Sequence, residues 1–292
     1  MYPSVREVIL LQAFPTIKEG LDALNLKAVE LEIFRDNTVY AINPTKEKLK
    51  YKLDTPDGIS EFEKHLKDTG VTVSALLMHN NFGSNDFDGE VSWTITAVKV
   101  ASALKIPAIR IDAIMHGEHE VPMEKNATVF ADAMARVIDA TANCKVDLGI
   151  ENHGAIGNRP EFLDKVLSKV NSERLGVTID TGNFYWWGHP LSKVYEIIEH
   201  FAPYCKHTHV KNIAYPENKR EVHRDIGWEY EKYVSPLEDG DIDLLRIVKI
   251  LKQAGYNGDF CLEDESLGKY SPEERKIVLK KDAEFLRKIC QG

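Results

Sequence analysis

Three carboxylates and one imidazole close four successive apolar runs in the second half of the chain. Glu151 ends VDLGIE (146–151), Asp180 ends LGVTID (175–180), His209 lies near the end of KHTHV (206–210) and Glu263 ends GDFCLE (258–263). Taken singly, a carboxylate at a strand end is more often a helix cap or a solvated loop residue, and a lone histidine a hydrogen-bonded core residue. Four of them at the same depth of four consecutive strands form a set. Three carboxylates brought together without a cation repel, and burial worsens the repulsion. A divalent cation removes the conflict. Oxygen-rich ligation with one imidazole suits Mn²⁺, Mg²⁺, Co²⁺ or Zn²⁺, and ligand type does not choose among them.

The two-residue period of a strand adds neighbours to this set. His153 lies two past Glu151, Lys211 two past His209, Glu265 two past Glu263 and His207 two before His209. For His79, His153 and Lys211, substrate contact and a structural role weigh equally. Arg110 and Asp112 share a parity and read as a buried ion pair. The run NFYWWGHP (183–190) follows Asp180 directly, and Trp186 within it, with Asn183, offers a wall for a sugar or aromatic ring. His223 and Arg224 fall in a long loop after the seventh strand, Arg224 being the stronger substrate contact. His116, His119, His189 and, by default, His223 read as solvated loop histidines.

These residues need a scaffold that brings strand ends together. Eight strand-like runs alternate with amphipathic helical stretches: 5–11, 27–34, 71–79, 107–113, 146–151, 175–180, 206–210 and 258–263. Strict alternation predicts parallel strands with helices outside. A doubly wound sheet would carry a glycine-rich phosphate turn after the first strand; QAFPTIKEG has none. The expected fold is therefore α/β, a single (β/α)₈ TIM barrel spanning 1–292 as one domain, with the chemistry at the C-terminal strand ends. The last helix opens at Ser271-Pro272 with Glu274 three residues on, a capping box. The longest irregular stretch is 211–240.

Composition narrows the partners. The net charge is −9, with 43% hydrophobic and 28% charged residues. A nucleic-acid binder carries a basic face, and the densest basic run, KEKLKYK (46–52), reads as a solvated helix face. No nucleic acid and no membrane is expected as a partner, since no apolar run approaches the roughly 18 residues of a span. The N-terminus reads as a first strand, with no signal-peptide cleavage site. Four widely spaced cysteines suggest buried thiols in a reducing cytoplasm. A small neutral or weakly charged substrate fits best, unphosphorylated because no Gly-rich phosphate cradle is evident, and a homo-oligomer stays open.

GIENHG, GVTIDTGNFY, HTHVKN and the stretch DGDIDLLRIVKILKQAGYNGDFCLEDE resemble the xylose isomerase-like barrel superfamily. Its members include sugar isomerases and epimerases, inosose dehydratases and endonuclease-IV-type DNA repair enzymes. In the tagatose-3-epimerase-like branch, Glu, Asp, His and Glu at the ends of strands five to eight hold one metal ion. The matching positions are Glu151, Asp180, His209 and Glu263. The resemblance further implies that Glu151 and Glu263 are the acid/base pair, abstracting a proton next to a carbonyl through an enediolate. It thus implies a metal-dependent isomerase or epimerase of a sugar, keto-sugar or polyol, with a lyase or dehydratase as the alternative and DNA repair ranked below both. Three departures stand out. Asn183 replaces the histidine usual three residues after the aspartate, Asn212 replaces the aspartate of HVKD, and the epimerase-type arginine after strand seven has only Arg220 and Arg224 as candidates.

Overall fold

Each apolar run after the first becomes a strand and each amphipathic stretch a helix in the computed structural model, which describes residues 1–115 and 120–291. The strands are β1 (Tyr2–Arg6), β2 (Ala28–Glu32), β3 (Thr72–Met78), β4 (Ala108–Ile111), β5 (Asp147–Glu151), β6 (Leu175–Asp180), β7 (Cys205–His209) and β8 (Asp259–Leu262). They form one sheet in the order β8-β1-β2-β3-β4-β5-β6-β7. A bridge between Val210 and Leu262 links the two ends. Chain order and strand order coincide, as a (β/α)₈ barrel requires. The main helices follow the strands in turn: α1 (Ile17–Leu24), α2 (Pro56–Thr69), α3 (Phe87–Leu104), α4 (Met123–Ala140), α5 (Pro160–Val170), α6 (Leu191–Phe201), α7 (Leu244–Gln253) and α8 (Pro272–Gln291). Strands β4 and β6 are buried at every residue, as expected where helices cover a parallel sheet.

Local chemistry sets the helix ends. Thr16, Thr55 and Asp243 accept the N–H of the residue three ahead, at 3.1, 3.2 and 2.9 Å. Each cap satisfies a donor that the first turn leaves unpaired. Glu274 reaches back to the Ser271 N–H at 2.9 Å, so the capping box forms.

The chain makes two compact units, one of Met1–Glu30 with Ile179–Gly292 and the other Leu31–Thr178. In the second, Phe130 meets Phe82 and Phe162 edge-on, with centroids 5.1 and 5.8 Å apart. Gly149 on β5 is a glycine because a Cβ there would lie 2.4 Å from Thr178 Oγ1 on β6.

Two expectations are corrected. The first strand covers residues 2–6, and Glu7–Leu11 is a helical turn that buries Glu7, Ile9 and Leu10. A short apolar run does not itself distinguish the two periods. KEKLKYK is not a helix face, because Lys50–Lys52 pairs antiparallel with Thr38–Tyr40. Lys50 Nζ lies 3.5 Å from the Phe34 ring centre, so the alternation of lysines is a strand's. His116 and His119 lie outside the described residues. No helix among the described residues is long and apolar enough to cross a membrane.

In the first unit α8 buries Leu279, Ala283 and Leu286, and on the same face Asp282. Asp282 accepts the Leu237 N–H at 3.0 Å and faces Asp264, which is also buried. Burial and the neighbouring Asp264 push the Asp282 carboxyl up to about 9. The unfolded value is about 3.9. The folded chain therefore keeps a proton that the unfolded chain gives up, and stability falls as pH rises from about 4 through about 9. Asp282→Asn supplies a permanent donor toward Asp264 and keeps the Leu237 contact. Thermal melts between pH 5 and 9 should show a flatter dependence for the variant and a gain over the parent at pH 8–9. Parallel curves would show that Asp282 is ionised in the fold.

Candidate metal centre

Three of the four expected ligands are the last residue of their strand, and Glu263 directly follows β8. In the first unit, Asp180 Oδ1 accepts the N–H groups of Gly182 and Asn183, both at 2.8 Å. The carboxylate is thereby oriented by its own turn. Thr181 ties this turn to the end of β7. Its N–H donates to His209 O at 2.9 Å, and its hydroxyl donates to Lys211 O at 2.8 Å. Gly182 makes room for a lysine stem, since a Cβ there would stand 2.7 Å from Lys211 Cγ.

Asp180, His209 and Glu263 each offer a ligand atom, and these atoms lie within 4.8 Å of one another. All three are buried. Lys211 Nζ sits among them, 3.1 Å from Asp180 Oδ2, 3.6 Å from Glu263 Oε2 and 3.1 Å from Glu265 Oε1. Burial disfavours its charge, but Asp180, Glu265 and Glu263 outweigh that and hold the ammonium well above its usual pKa. The Tyr230 hydroxyl donates to Glu265. Arg6 from β1 reaches Glu263.

Behind His209 runs a buried chain of charges. Its Nε2 lies 2.9 Å from Glu30 Oε2, and its Nδ1 3.3 Å from Glu263 Oε2. His207 Nε2 lies 2.9 Å from Glu30 Oε1, and its Nδ1 2.8 Å from Asp259 Oδ1. Burial opposes a charged His207 ring, yet Asp259 and Glu30 raise its pKa well above the usual imidazole range. Burial likewise opposes ionised Glu30, and His209 and His207 hold it well below the carboxylate range.

Two carboxylates and an imidazole fit a divalent ion by donor type. With His209 Nε2 turned to Glu30, its Nδ1 faces a carboxylate, which calls for a proton or a cation at that atom. A second buried group, Glu30, His207 and Cys261, fits poorly. Burial pushes the Cys261 thiol up to about 12, and both His207 nitrogens are already taken by Glu30 and Asp259.

The fourth expected ligand, Glu151, belongs to the other unit. Within that unit it bonds to Arg110, whose guanidinium also reaches Asp112 Oδ1 at 2.8 Å and donates to Met78 O at 2.9 Å. The expected Arg110–Asp112 ion pair is thus present. Asp112 also holds two histidines, His153 Nδ1 at 2.9 Å and His79 Nδ1 at 3.1 Å. Burial would raise the Asp112 carboxyl, but the Arg110 charge and the two ring contacts keep it well below the usual range. Burial disfavours a charged His153, but Glu151 and Asp112 prevail and its pKa rises. Asp112, Glu151 and His153 are close enough to share an ion, but the arginine already supplies the positive charge there.

The loop after β7 carries the remaining candidates. Arg224 is buried, and its guanidinium donates to the carbonyls of Lys219, Val222, Tyr185 and His189. It also lies 4.4 Å from the ring centres of Tyr185 and Tyr215. Arg224 therefore staples two loop segments together. His223 Nδ1 lies 2.7 Å from Gly188 O. Gly188 has φ +113°, and a Cβ there would stand 2.1 Å from Arg224 O. In the aromatic run Phe184 and Tyr185 are buried. Trp187 stacks on His189 at 4.6 Å, and Trp186 is half-buried against Gly227.

A profile of the xylose isomerase-like TIM barrel family matches residues 21–289. The chain belongs to that family. Over 204 residues it is 26% identical to an uncharacterized protein of Methanocaldococcus jannaschii, covering 67% of each chain. A second uncharacterized protein of that organism is 24% identical over 139 residues, and the chain spans 42% of its length. Among solved structures, the IOLI protein with a bound zinc atom matches with TM-score 0.70 at 16% identity, covering 98% of both chains. An L-ribulose 3-epimerase matches with TM-score 0.69 at 16% identity, over 100% of this chain and 95% of its own. Mannonate dehydratase from Streptococcus suis matches with TM-score 0.66 at 13% identity, over 99% and 93%. At these identities the likeness is one of fold.

The family's members are mostly enzymes, and the structure accounts for one departure of this xylose isomerase-like chain from the epimerase pattern. Asn212 donates its amide to Leu237 O at 2.8 Å and Ile242 O at 3.0 Å, and its Oδ1 accepts the Ile242 N–H at 3.0 Å. An aspartate would set an anion against two carbonyls. Asn183 is buried in the turn that holds Asp180.

Proposed function

We propose that the protein is a divalent-metal-dependent isomerase or epimerase of a sugar, keto-sugar or polyol. Glu151, Asp180, His209 and Glu263 are its metal ligands. The observation that carries this reading is the buried convergence of Asp180, His209 and Glu263 beside the Lys211 ammonium. For Glu151 the support is the strand register: it pairs with Thr178 on β6, two residues before Asp180. The zinc-bearing IOLI protein and the L-ribulose 3-epimerase share the fold and lend it weight.

When bound, the ion polarises a carbonyl and its neighbouring hydroxyl, which acidifies the C–H between them. Glu151 and Glu263 then take and return the proton at carbon through an enediolate. Lys211 keeps its proton and donates a hydrogen bond to a substrate oxygen. His79 and His153, oriented through Nδ1 by Asp112, turn their Nε2 atoms to the substrate, with Asn183 and Trp186 as further contacts. Arg224 acts through the loop it staples. The acidic balance of the chain, −9, favours an uncharged carbohydrate over nucleic acid.

The test is deuterium wash-in. Protein loaded with Mn²⁺ is incubated in heavy water with a panel of ketoses, and recovered sugars are read by mass spectrometry. Incorporation at the carbon next to the carbonyl, together with an isomer, is the expected result. Incorporation with loss of water would assign a dehydratase, the chemistry of the Streptococcus suis neighbour. A protein that takes up no metal, or that nicks abasic duplex DNA at catalytic levels, would overturn the proposal.

A further inference from the structure

Glu30 has no part in the chemistry above, yet its carboxyl lies inside β2 with 1% exposure. A carboxylate so placed is costly unless its oxygens are fully engaged. Both are engaged. Oε2 stands 2.9 Å from His209 Nε2 and 3.4 Å from Arg6 Nε, and Oε1 stands 2.9 Å from His207 Nε2. His207 is held in turn by Asp259 at 2.8 Å, and Asp259 Oδ2 accepts the Ser4 hydroxyl at 2.6 Å. The carboxylate is thus clamped from three sides and cannot turn away from His209.

We propose that Glu30 is the positioning residue of the metal centre: by accepting the Nε2 proton of His209 it directs the Nδ1 lone pair to the ion. The proposal rests on the metal-centre reading and adds which nitrogen ligates and what fixes it. An imidazole has two usable nitrogens, and the hydrogen bond made by one decides which is left for a metal. Here Nδ1 is the atom that faces Glu263, at 3.3 Å. The other tautomer, with the proton on Nδ1, would bury an N–H against Glu263 and leave Glu30 facing a lone pair. Gln at position 30 keeps the size, but its NH₂ end must face either His207 or His209. One of the two contacts is then donor against donor unless that ring gives up its Nε2 proton.

Zinc affinity and histidine tautomers test this together. Zinc binding is measured by competition with a chromophoric chelator for the parent and Glu30→Gln. Nitrogen-15 spectra of histidine-labelled protein report the ligating nitrogen, with His209 assigned by its absence from His209→Gln. The parent is expected to bind zinc through Nδ1 with a protected Nε2–H. Glu30→Gln is expected to bind 10–100-fold more weakly, as for loss of other outer carboxylate partners, and to show a mixed His209 tautomer. Unchanged affinity and tautomer in a folded Glu30→Gln would make Glu30 a structural partner only. Should that variant not fold, the parent spectrum still decides, because zinc on Nε2 overturns the proposal. A parent that binds no zinc overturns the metal-centre reading and this proposal with it.

Discussion

Glu263→Gln and Glu151→Gln are each expected to slow hydrogen exchange at the substrate carbon by about 10²–10⁴-fold, the usual loss for a well-placed base. Glutamine keeps the size and one ligating oxygen, so metal is retained in part, but it cannot hold the abstracted proton. Metal content must accompany every rate, since a demetallated variant would mimic the loss. Neither substitution touches the strand pairing, but each neutralises a buried carboxylate that faces Arg110 or Arg6, so circular dichroism must also accompany each rate. Glu263 follows β8, and its N–H stays on Val210 O at 2.9 Å; Glu151 ends β5, paired along its length with β6. If both variants keep metal and near-parental exchange, the base lies elsewhere. His153 and Lys211 are then next to be replaced.

A second large effect is expected on stability. Arg110→Met removes the cation that faces Asp112 and Glu151 from a site where its own exposure is 2%. Two carboxylates are left buried without it, and breaking such a pair typically costs about 3–5 kcal/mol. Urea unfolding of the metal-free protein measures the loss. Arg136 provides the contrast, because it pairs with Asp88 at 2.7 Å while both side chains are more than half exposed. Arg136→Met should cost less than about 1 kcal/mol, in line with solvent-screened pairs. Equal losses for the two would mean that burial does not set the strength of these pairs here.

Much of the scaffold and the placing of the candidate ligands at strand ends was legible because both are local patterns. The alternation of apolar runs with amphipathic stretches fixes eight strand–helix units, and carboxylates at the ends of those runs mark themselves. Arg110 and Asp112 could be paired because parity along one strand needs no knowledge of the fold. The ends of β1 and the character of KEKLKYK were not legible, since a short run satisfies either period and the Lys50 contact with Phe34 is tertiary. Glu30, Arg6 and Asp259 escaped for a related reason: their partners lie far away in sequence, with Glu30 and His209 179 residues apart. A signal was nevertheless present, since a charged residue flanked by apolar neighbours in AVELE and at the start of DFCL must find a buried partner. Asn212 and Arg224 show a further limit. Both fall in the stretch after β7, where Asn212 opens a two-residue strand and a polar side chain gives no hint of whether it faces ligand or backbone carbonyls.

The loops that follow the sixth and seventh strands also carry their own optical reporters. The chain has four tryptophans, and three of them, Trp186, Trp187 and Trp228, belong to the first unit. Trp187 lies parallel to His189, with His223 beyond it at 5.9 Å. Trp228 lies nearly parallel to Tyr233, tilted by 17°. The fourth, Trp93, is buried on α3 beneath the Arg35 guanidinium. Indole emission depends on the rings and charges beside it, so intrinsic fluorescence weighs these two loops far above the rest of the molecule. Ligand titrations followed at tryptophan wavelengths will read the surroundings of Trp186, Trp187 and Trp228. An emission change without a change in circular dichroism is then a rearrangement of those loops over an intact scaffold.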